Sequence, residues 1–179
     1  MNGIQFIKIK SDDELRGHNC GVASIDKMVE NSFLPHLLRQ QDTYKITYKN
    51  RILGFYAIRI IAIECDDADA EFAEYYDTEP VFGALYIKYI AIETQFQNHR
   101  IGTNTLNTII KNANEDSQRL PIRLIIFDAL RERIEFYQKR GFQLLKQQDI
   151  VGNSETVKMF FDLLPHSDFE SIKQRYEEP

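Results

Sequence analysis

Residues 95–110, QFQNHRIGTNTLNTII, run from a polar turn straight into a helical pattern, and that junction is where the types and spacing of residues could do chemistry. The first amides of a helix have no intrahelical acceptor, and the helix dipole adds positive potential there, so an anion is favoured. A phosphate group is the natural guest. The turn is not a Walker loop, because no Gly-Lys-Ser/Thr follows, and it is not a GxGxxG loop, because Gly102 is its only glycine. His99, and His18 two residues before Cys20, raise a His or Cys/His site, but nothing else in the sequence supports that chemistry. Cys20 and Cys65 are the only cysteines, without a CxxC pair or a His/Cys ligand spacing, so we expect reduced thiols and no metal site.

The elements that must position this turn follow from periodicity. IQFIKIK at 4–10 alternates as a strand, and DTYKITY at 42–48, the turn KNR, and ILGFYAIRIIAI at 52–63 read as a hairpin. Between them SIDKMVENSFLPHLLRQ has a helical pattern that Pro35 should divide into two short helices. The acid-rich stretch 64–79 reads as a long loop, and ALYIKYIAI at 84–92 is a strand leading directly into the helix of the turn. IRLIIF at 122–127 is a buried strand, with Asp128 placed to cap a helix that carries Leu130, Ile134 and Tyr137 on one stripe and stops at Gly141. GFQLLKQ and TVKMFFDL close the pattern as an antiparallel pair, and residues 166–179 form a tail or short helix. This order gives an α+β domain over residues 1–165, with a mixed, mostly antiparallel central sheet, flanking helices and one parallel βαβ crossover.

The same residues carry a resemblance. The strand YIKYIAI, the turn QNHRIG at 97–102 and its helix resemble the acyl-CoA signature of the GNAT superfamily of N-acyltransferases, a Gln/Arg-x-x-Gly-x-Gly/Ala turn. Gln97 and Gly102 stand where the pattern wants them, and Arg100 occupies the place of the first glycine. EFYQKRGF at 135–142 resembles the second hallmark of the family, Phe/Leu-Tyr-x-x-x-Gly-Phe. NCGVASIDKMV, ILGFYAI and the Asp-Ala-Leu of FDALRERIEFY are similar to segments of its toxin-type branch. The resemblance covers roughly residues 5–162 and implies the GNAT fold, acetyl-CoA as co-substrate and N-acetyl transfer to an amine.

It also implies roles. Backbone amides of Asn98, His99, Arg100, Ile101, Gly102 and Thr103, after Gln97, would cradle the pyrophosphate, and the strand backbone at Ile90, Ala91 and Ile92 would pair with the pantetheine amides. Tyr137 would protonate the departing thiolate. Reference values of about 10 for tyrosine and about 8.5 for a thiol make that transfer uphill by roughly 2 kcal/mol, a gap that positioning can close. Glu93, Asp128 and Tyr86 are the candidates for a base, although water can also take the proton from an amine.

Charge bears on the acceptor. The net charge is -5, and Glu64, Asp66, Asp67, Asp69, Glu71, Glu74, Asp77 and Glu79 fall together without a base among them, which leaves the rest of the chain mildly basic. An acidic chain offers no general case for nucleic acid or membrane surfaces, so we expect a small-molecule or peptidic amine rather than aminoacyl-tRNA, with nucleic acid disfavoured. A non-catalytic acyl-CoA-binding module is the third reading, and a homodimer is one assembly left open. The opening residues show no signal-peptide pattern, and the most apolar run is interrupted by Arg59, so we expect a cytoplasmic protein without a membrane span.

Overall fold

The computed structural model describes residues 3–64, 81–146, 154–164 and 166–177. Seven strands, β1 (Gln5–Lys8), β2 (Asp42–Tyr48), β3 (Arg51–Glu64), β4 (Val81–Ile92), β5 (Ile122–Leu130), β6 (Gln143–Leu144) and β7 (Thr156–Asp162), follow the order β1-β2-β3-β4-β5-β7-β6. The sheet is mostly antiparallel with one parallel pair, and the helices are α1 (Ala23–Glu30), α2 (Phe33–Leu37), α3 (Ile101–Ser117), α4 (Ile134–Gln138) and α5 (His166–Glu177). This is the α+β fold class expected from the sequence. The acid-rich stretch expected as a loop lies, from residue 65 to 79, outside the described residues. Two compact units divide the chain: residues 1–61 with 86–112, and residues 62–85 with 113–179.

In the first unit β1, β2 and β3 form an antiparallel meander, and the β2–β3 turn is tighter than KNR suggests. Tyr48 pairs with Arg51, leaving Lys49 and Asn50 at φ 48° and 63°, the left-handed pair that a two-residue hairpin with matching twist demands. The register slips between Ile46 and Thr47, leaving Leu53 as the extra residue on β3, and its carbonyl accepts Glu93 N–H at 2.9 Å. Next to it Gly54 is obligatory, since a Cβ there would lie 2.2 Å from the Ala91 carbonyl oxygen. The core of this unit gathers Ile9, Leu15, Cys20, Val29, Phe55, Ala57, Tyr89 and Ala91.

The helical segment divides as Pro35 suggested, but the break falls earlier, at Asn31 and Ser32. Their side chains turn back to accept positions beside the last turn of α1: Asn31 Nδ2 donates to the Lys27 carbonyl at 2.8 Å and Ser32 Oγ to that of Met28 at 2.6 Å. Pro35 is instead the third residue of α2, in a first turn where a missing N–H breaks no helical bond.

In the second unit β7 lies antiparallel between β5 and β6. β5 runs three residues past the expected end, so Asp128 is a strand residue opposite Lys158 and Leu130 ends the strand. Asp128 does not cap α4, and Leu130 does not share its stripe; a 3₁₀ turn, Arg131–Arg133, intervenes before α4 begins at Ile134. The pairing with β7 decides this, because ladder hydrogen bonds extend the strand where single-strand periodicity sees only the apolar run. Gly141 does end α4, at φ 85°, with Phe142 N–H returning to the Tyr137 carbonyl at 3.2 Å.

Candidate functional site

The turn between β4 and α3 is longer than the sequence pattern implied. A 3₁₀ turn, Thr94–Phe96, follows the strand before residues 97–100 lead into Ile101. Asn98 and Arg100 both take left-handed conformations, φ 63° and 60°. Asparagine tolerates that region readily, whereas arginine is held in it at roughly 1–2 kcal/mol, which explains why a glycine is the usual residue at this place in the resembling signature. Left-handed residues alternating with an ordinary one are the backbone pattern of a nest, the amide-lined concavity that binds anions. Asn104 is the first amide of α3 with a backbone acceptor, Arg100 O at 3.0 Å, and the N–H groups of Asn98 to Thr103 have no acceptor among the described residues.

Side chains hold this turn rather than line it. Gln97 Nε2 donates to the carbonyls of Cys20, 2.7 Å, and Ile92, 3.1 Å, while His99 Nδ1 donates to Gln97 O at 2.7 Å. Gly102 has an ordinary helical φ, and a Cβ added there would meet only Ile92 Cγ1, at 3.8 Å. Nothing in the protein therefore requires glycine at 102; the open space above it is what a close-approaching ligand would use. At the strand end Ala91 is buried and Ile90 and Ile92 are half-buried, on the alternating faces of β4. Sequence reasoning placed these residues together, and they are together, at one end of β4 and the head of α3.

A second stretch converges on the same strand end. Asn19 O accepts Thr94 N–H and Thr94 Oγ1–H, both at 2.9 Å, and His18 Nδ1 contacts Glu93 Oε1 at 3.0 Å. Glu93, a candidate base, is thus engaged by a buried imidazole. Burial pushes the Cys20 thiol up to about 11, with Asp26 adding to the effect, so it is a protonated thiol rather than a nucleophile.

Tyr137 lies on α4, in the second unit. Its ring sits in an aromatic cage of Phe127, Phe136 and Phe142, with centroids 4.5, 5.1 and 6.1 Å away. Burial raises the phenol above its usual value, and Arg133 and Arg140 oppose that shift. The cage fixes the ring while leaving the hydroxyl free of any protein hydrogen bond, and that hydroxyl is not among the buried polar atoms without a partner. A fixed, protonated, solvent-reachable phenol is what a general acid needs.

The other two candidate bases fall elsewhere. Asp128 is exposed on β5, and Tyr86 is a half-buried β4 residue whose ring lies under the Arg59 guanidinium, 5.0 Å from its centroid. Periodicity gave no hint of the cations beside Tyr86. Lys88, two residues on along β4, donates to Gln41 Oε1 at 2.9 Å and has its pKa lowered by burial and then by Arg59. Neither Arg59 nor Lys88 has a carboxylate partner among the described residues.

With this geometry in view, comparison with known proteins gives a clear answer on fold. The sequence matches no family model and no curated protein at a significant level. Solved structures do match over the whole chain. A tyrosine-to-phenylalanine mutant of KacT superposes with a TM-score of 0.74 at 17% identity, covering 97% of this chain and 99% of that one. AtaT complexed with acetyl-methionyl-tRNAfMet gives 0.72 at 17%, covering 97% and 98%. AtaTR bound with AcCoA gives 0.71 at 17%, covering 98% and 99%. The chain has the GNAT fold. The expectation against nucleic acid receives no support from these similarities, since one of the structures sharing the fold is a tRNA complex. No helix among the described residues is long and apolar enough to cross a membrane.

Proposed function

We propose that the protein is an acetyl-CoA-dependent N-acetyltransferase that transfers the acetyl group directly to a primary amine. The observation that carries this reading is the run of unpartnered amides from Asn98 to Thr103, shaped by two left-handed residues at the head of α3. Such a concavity offers several N–H donors and the positive end of a 17-residue helix to a pyrophosphate. The similarity in fold to AtaTR bound with AcCoA supports the same ligand here.

In the reaction so proposed, the neutral amine attacks the thioester carbonyl, a C–N bond forms, and the C–S bond breaks. The departing sulfur takes the phenolic proton of Tyr137, the nitrogen loses its proton to water, and the phenolate is reprotonated from solvent. Glu93 is the alternative proton acceptor for the amine. Pantetheine amides would pair along Ile90 to Ile92, where Gln97 already occupies one lone pair of the Ile92 carbonyl.

A second reading specifies the amine as the aminoacyl end of a charged tRNA. It is favoured by Arg59 and Lys88, two cations on neighbouring strands without a carboxylate partner among the described residues, beside a tyrosine ring. An acceptor screen reading out free thiol from acetyl-CoA separates the readings. Thiol release with small amines or peptides supports the first acceptor class, and release only with aminoacyl-tRNA supports the second. Acetyl-CoA binding without thiol release on any amine would instead leave a binding module.

A further inference from the structure

His18, Cys20 and Asp26 stand outside the reaction just described, yet they form a close-set, largely buried polar cluster in the first unit. His18 is 1% exposed at its side chain, and its ring packs edge-on against Phe55, 5.2 Å between centroids. Its Nδ1 lies 3.0 Å from Glu93 Oε1, and a carboxylate can only accept, so Nδ1 carries the proton. That leaves Nε2 as a bare lone pair in the neutral ring. Nε2 is buried without a hydrogen-bond partner and faces Asp26 Oδ1 at 3.7 Å. Two lone pairs facing each other repel unless a proton or a metal cation lies between them.

The same point is approached by sulfur. One nitrogen of His18, the Cys20 sulfur and a carboxylate oxygen of Asp26 all lie within 4.8 Å of one another. Asp26 Oδ1 is itself oriented by Cys20 N–H at 2.8 Å, and the thiol reaches the Val22 carbonyl only at 3.8 Å. Ligand bonds of about 2.0–2.3 Å in a tetrahedral zinc site put the donor atoms roughly 3.3–3.8 Å apart. The His18–Asp26 spacing already meets that, and the widest pair needs to close by about 1 Å, within reach of a side-chain torsion.

We propose that His18 Nε2, Cys20 Sγ and Asp26 Oδ1 bind a zinc ion. Mixed nitrogen, sulfur and oxygen donors suit zinc and exclude calcium or magnesium, which take oxygen alone. Glu93 then plays the supporting role, holding His18 in the tautomer that presents Nε2 to the metal, as carboxylates commonly do behind ligating histidines. On binding, Cys20 gives up its thiol proton to solvent as the Zn–S bond forms, and a water or the second oxygen of Asp26 completes the fourth position. Because Asn19 and Cys20 carbonyls hold Thr94 and Gln97, the ion would brace the segment that leads into the 97–103 turn.

The test uses chelator-treated full-length protein titrated with zinc chloride by calorimetry, and with cobalt(II) as a spectroscopic stand-in. The expected result is one ion per chain, a raised melting temperature with zinc, and a thiolate-to-cobalt charge-transfer band. That band should survive Cys65→Ser and vanish in Cys20→Ser. His18→Gln should weaken zinc binding by about a hundredfold, and Glu93→Gln by about tenfold. If a ligand variant fails to fold, the Cys65→Ser protein decides alone, since its cobalt spectrum contains either a thiolate band or none. No stoichiometric ion, an ion without the thiolate band, or affinity unchanged in both Cys20→Ser and His18→Gln would overturn the proposal and leave a second ring proton as what Nε2 holds.

Discussion

The head of α3 and the short helix α4 make opposite uses of the chain. At residues 98–103 the useful atoms are backbone amides, and side chains such as Gln97 and His99 only fold the turn back on itself. At Tyr137 the useful atom is one hydroxyl, and the surrounding backbone and rings only fix its direction. A site made of amides tolerates changes of residue wherever the conformation is still reachable, which is how Arg100 stands in a left-handed position usual for glycine. A site made of one hydroxyl tolerates none. The contrast predicts that mutations in the turn should act through shape and charge, and those in the helix through a single atom.

The largest effect should come from filling the concavity. Gly102→Glu adds bulk and negative charge where a pyrophosphate is proposed to sit, and acetyl-CoA affinity should fall by at least about a hundredfold, roughly 2.7 kcal/mol. The only contact its Cβ gains within the protein is Ile92 Cγ1 at 3.8 Å, so the fold should be unaffected. Calorimetry on the folded mutant checks it, and unchanged affinity would remove the ligand from this turn.

Tyr137→Phe should leave affinity intact and reduce turnover by about a hundredfold, the lower end for a general acid, because a thiolate is already a fair leaving group. The hydroxyl has no protein partner among the described residues, so thermal stability should not change. Wild-type turnover in this mutant, under conditions where chemistry limits the rate, would leave solvent as the proton source. A mutant that loses both binding and turnover would break the division of labour between the two regions.

Buried phenols give a smaller, pH-dependent effect that also divides unevenly. Burial raises Tyr89 to about 12, and raises Tyr44, Tyr56 and Tyr137 as well. An unfolded tyrosine titrates near 10, so the unfolded chain loses protons first as pH rises. Stability is therefore complete below pH 10 and declines through about 12 as each folded phenol is forced to ionise. Three of these four belong to the first unit, so Tyr89→Phe should flatten the alkaline decline of the denaturation midpoint more than Tyr137→Phe does. The same direction of shift keeps Tyr137 protonated, and turnover should show no loss from tyrosine ionisation below pH 10.

Much of this was legible in the sequence because it rests on local rules. The β2–β3 hairpin, the existence of two short helices between β1 and β2, though not the place of their break, and the Gly141 stop come from turn chemistry and helix periodicity. What escaped depends on partners distant in sequence. Asp128 reads as a helix cap until β7 pairs with it, and Arg59 and Lys88 are not seen as neighbouring cations until β3 and β4 lie side by side. At His18 the sequence raised the His-x-Cys pair and set it aside, because Asp26 and Glu93 reach it only through a helix turn and a strand end. The 97–103 turn stands between these cases, with its place between β4 and α3 legible but its unusual conformation invisible.

That conformation yields the smallest and sharpest prediction. Arg100 is exposed, and its φ of 60° is strained for a residue with a Cβ. Arg100→Gly relieves roughly 1–2 kcal/mol in the folded state, while the freer unfolded chain takes back about 0.5–1 kcal/mol, so the protein should gain roughly 0.5–1 kcal/mol of stability. Denaturant unfolding measures that gain. Affinity should move the other way, because a guanidinium at the mouth of the turn adds attraction to a phosphate that the amides alone do not supply. We expect acetyl-CoA to bind a few-fold more weakly to Arg100→Gly, with a shallower dependence on salt than in the wild type. Tighter binding with unchanged salt dependence would mean that the Arg100 side chain obstructs the concavity. The strained arginine would then be a pure liability, and the turn would work through backbone alone, as the contrast with Tyr137 requires in its strictest form.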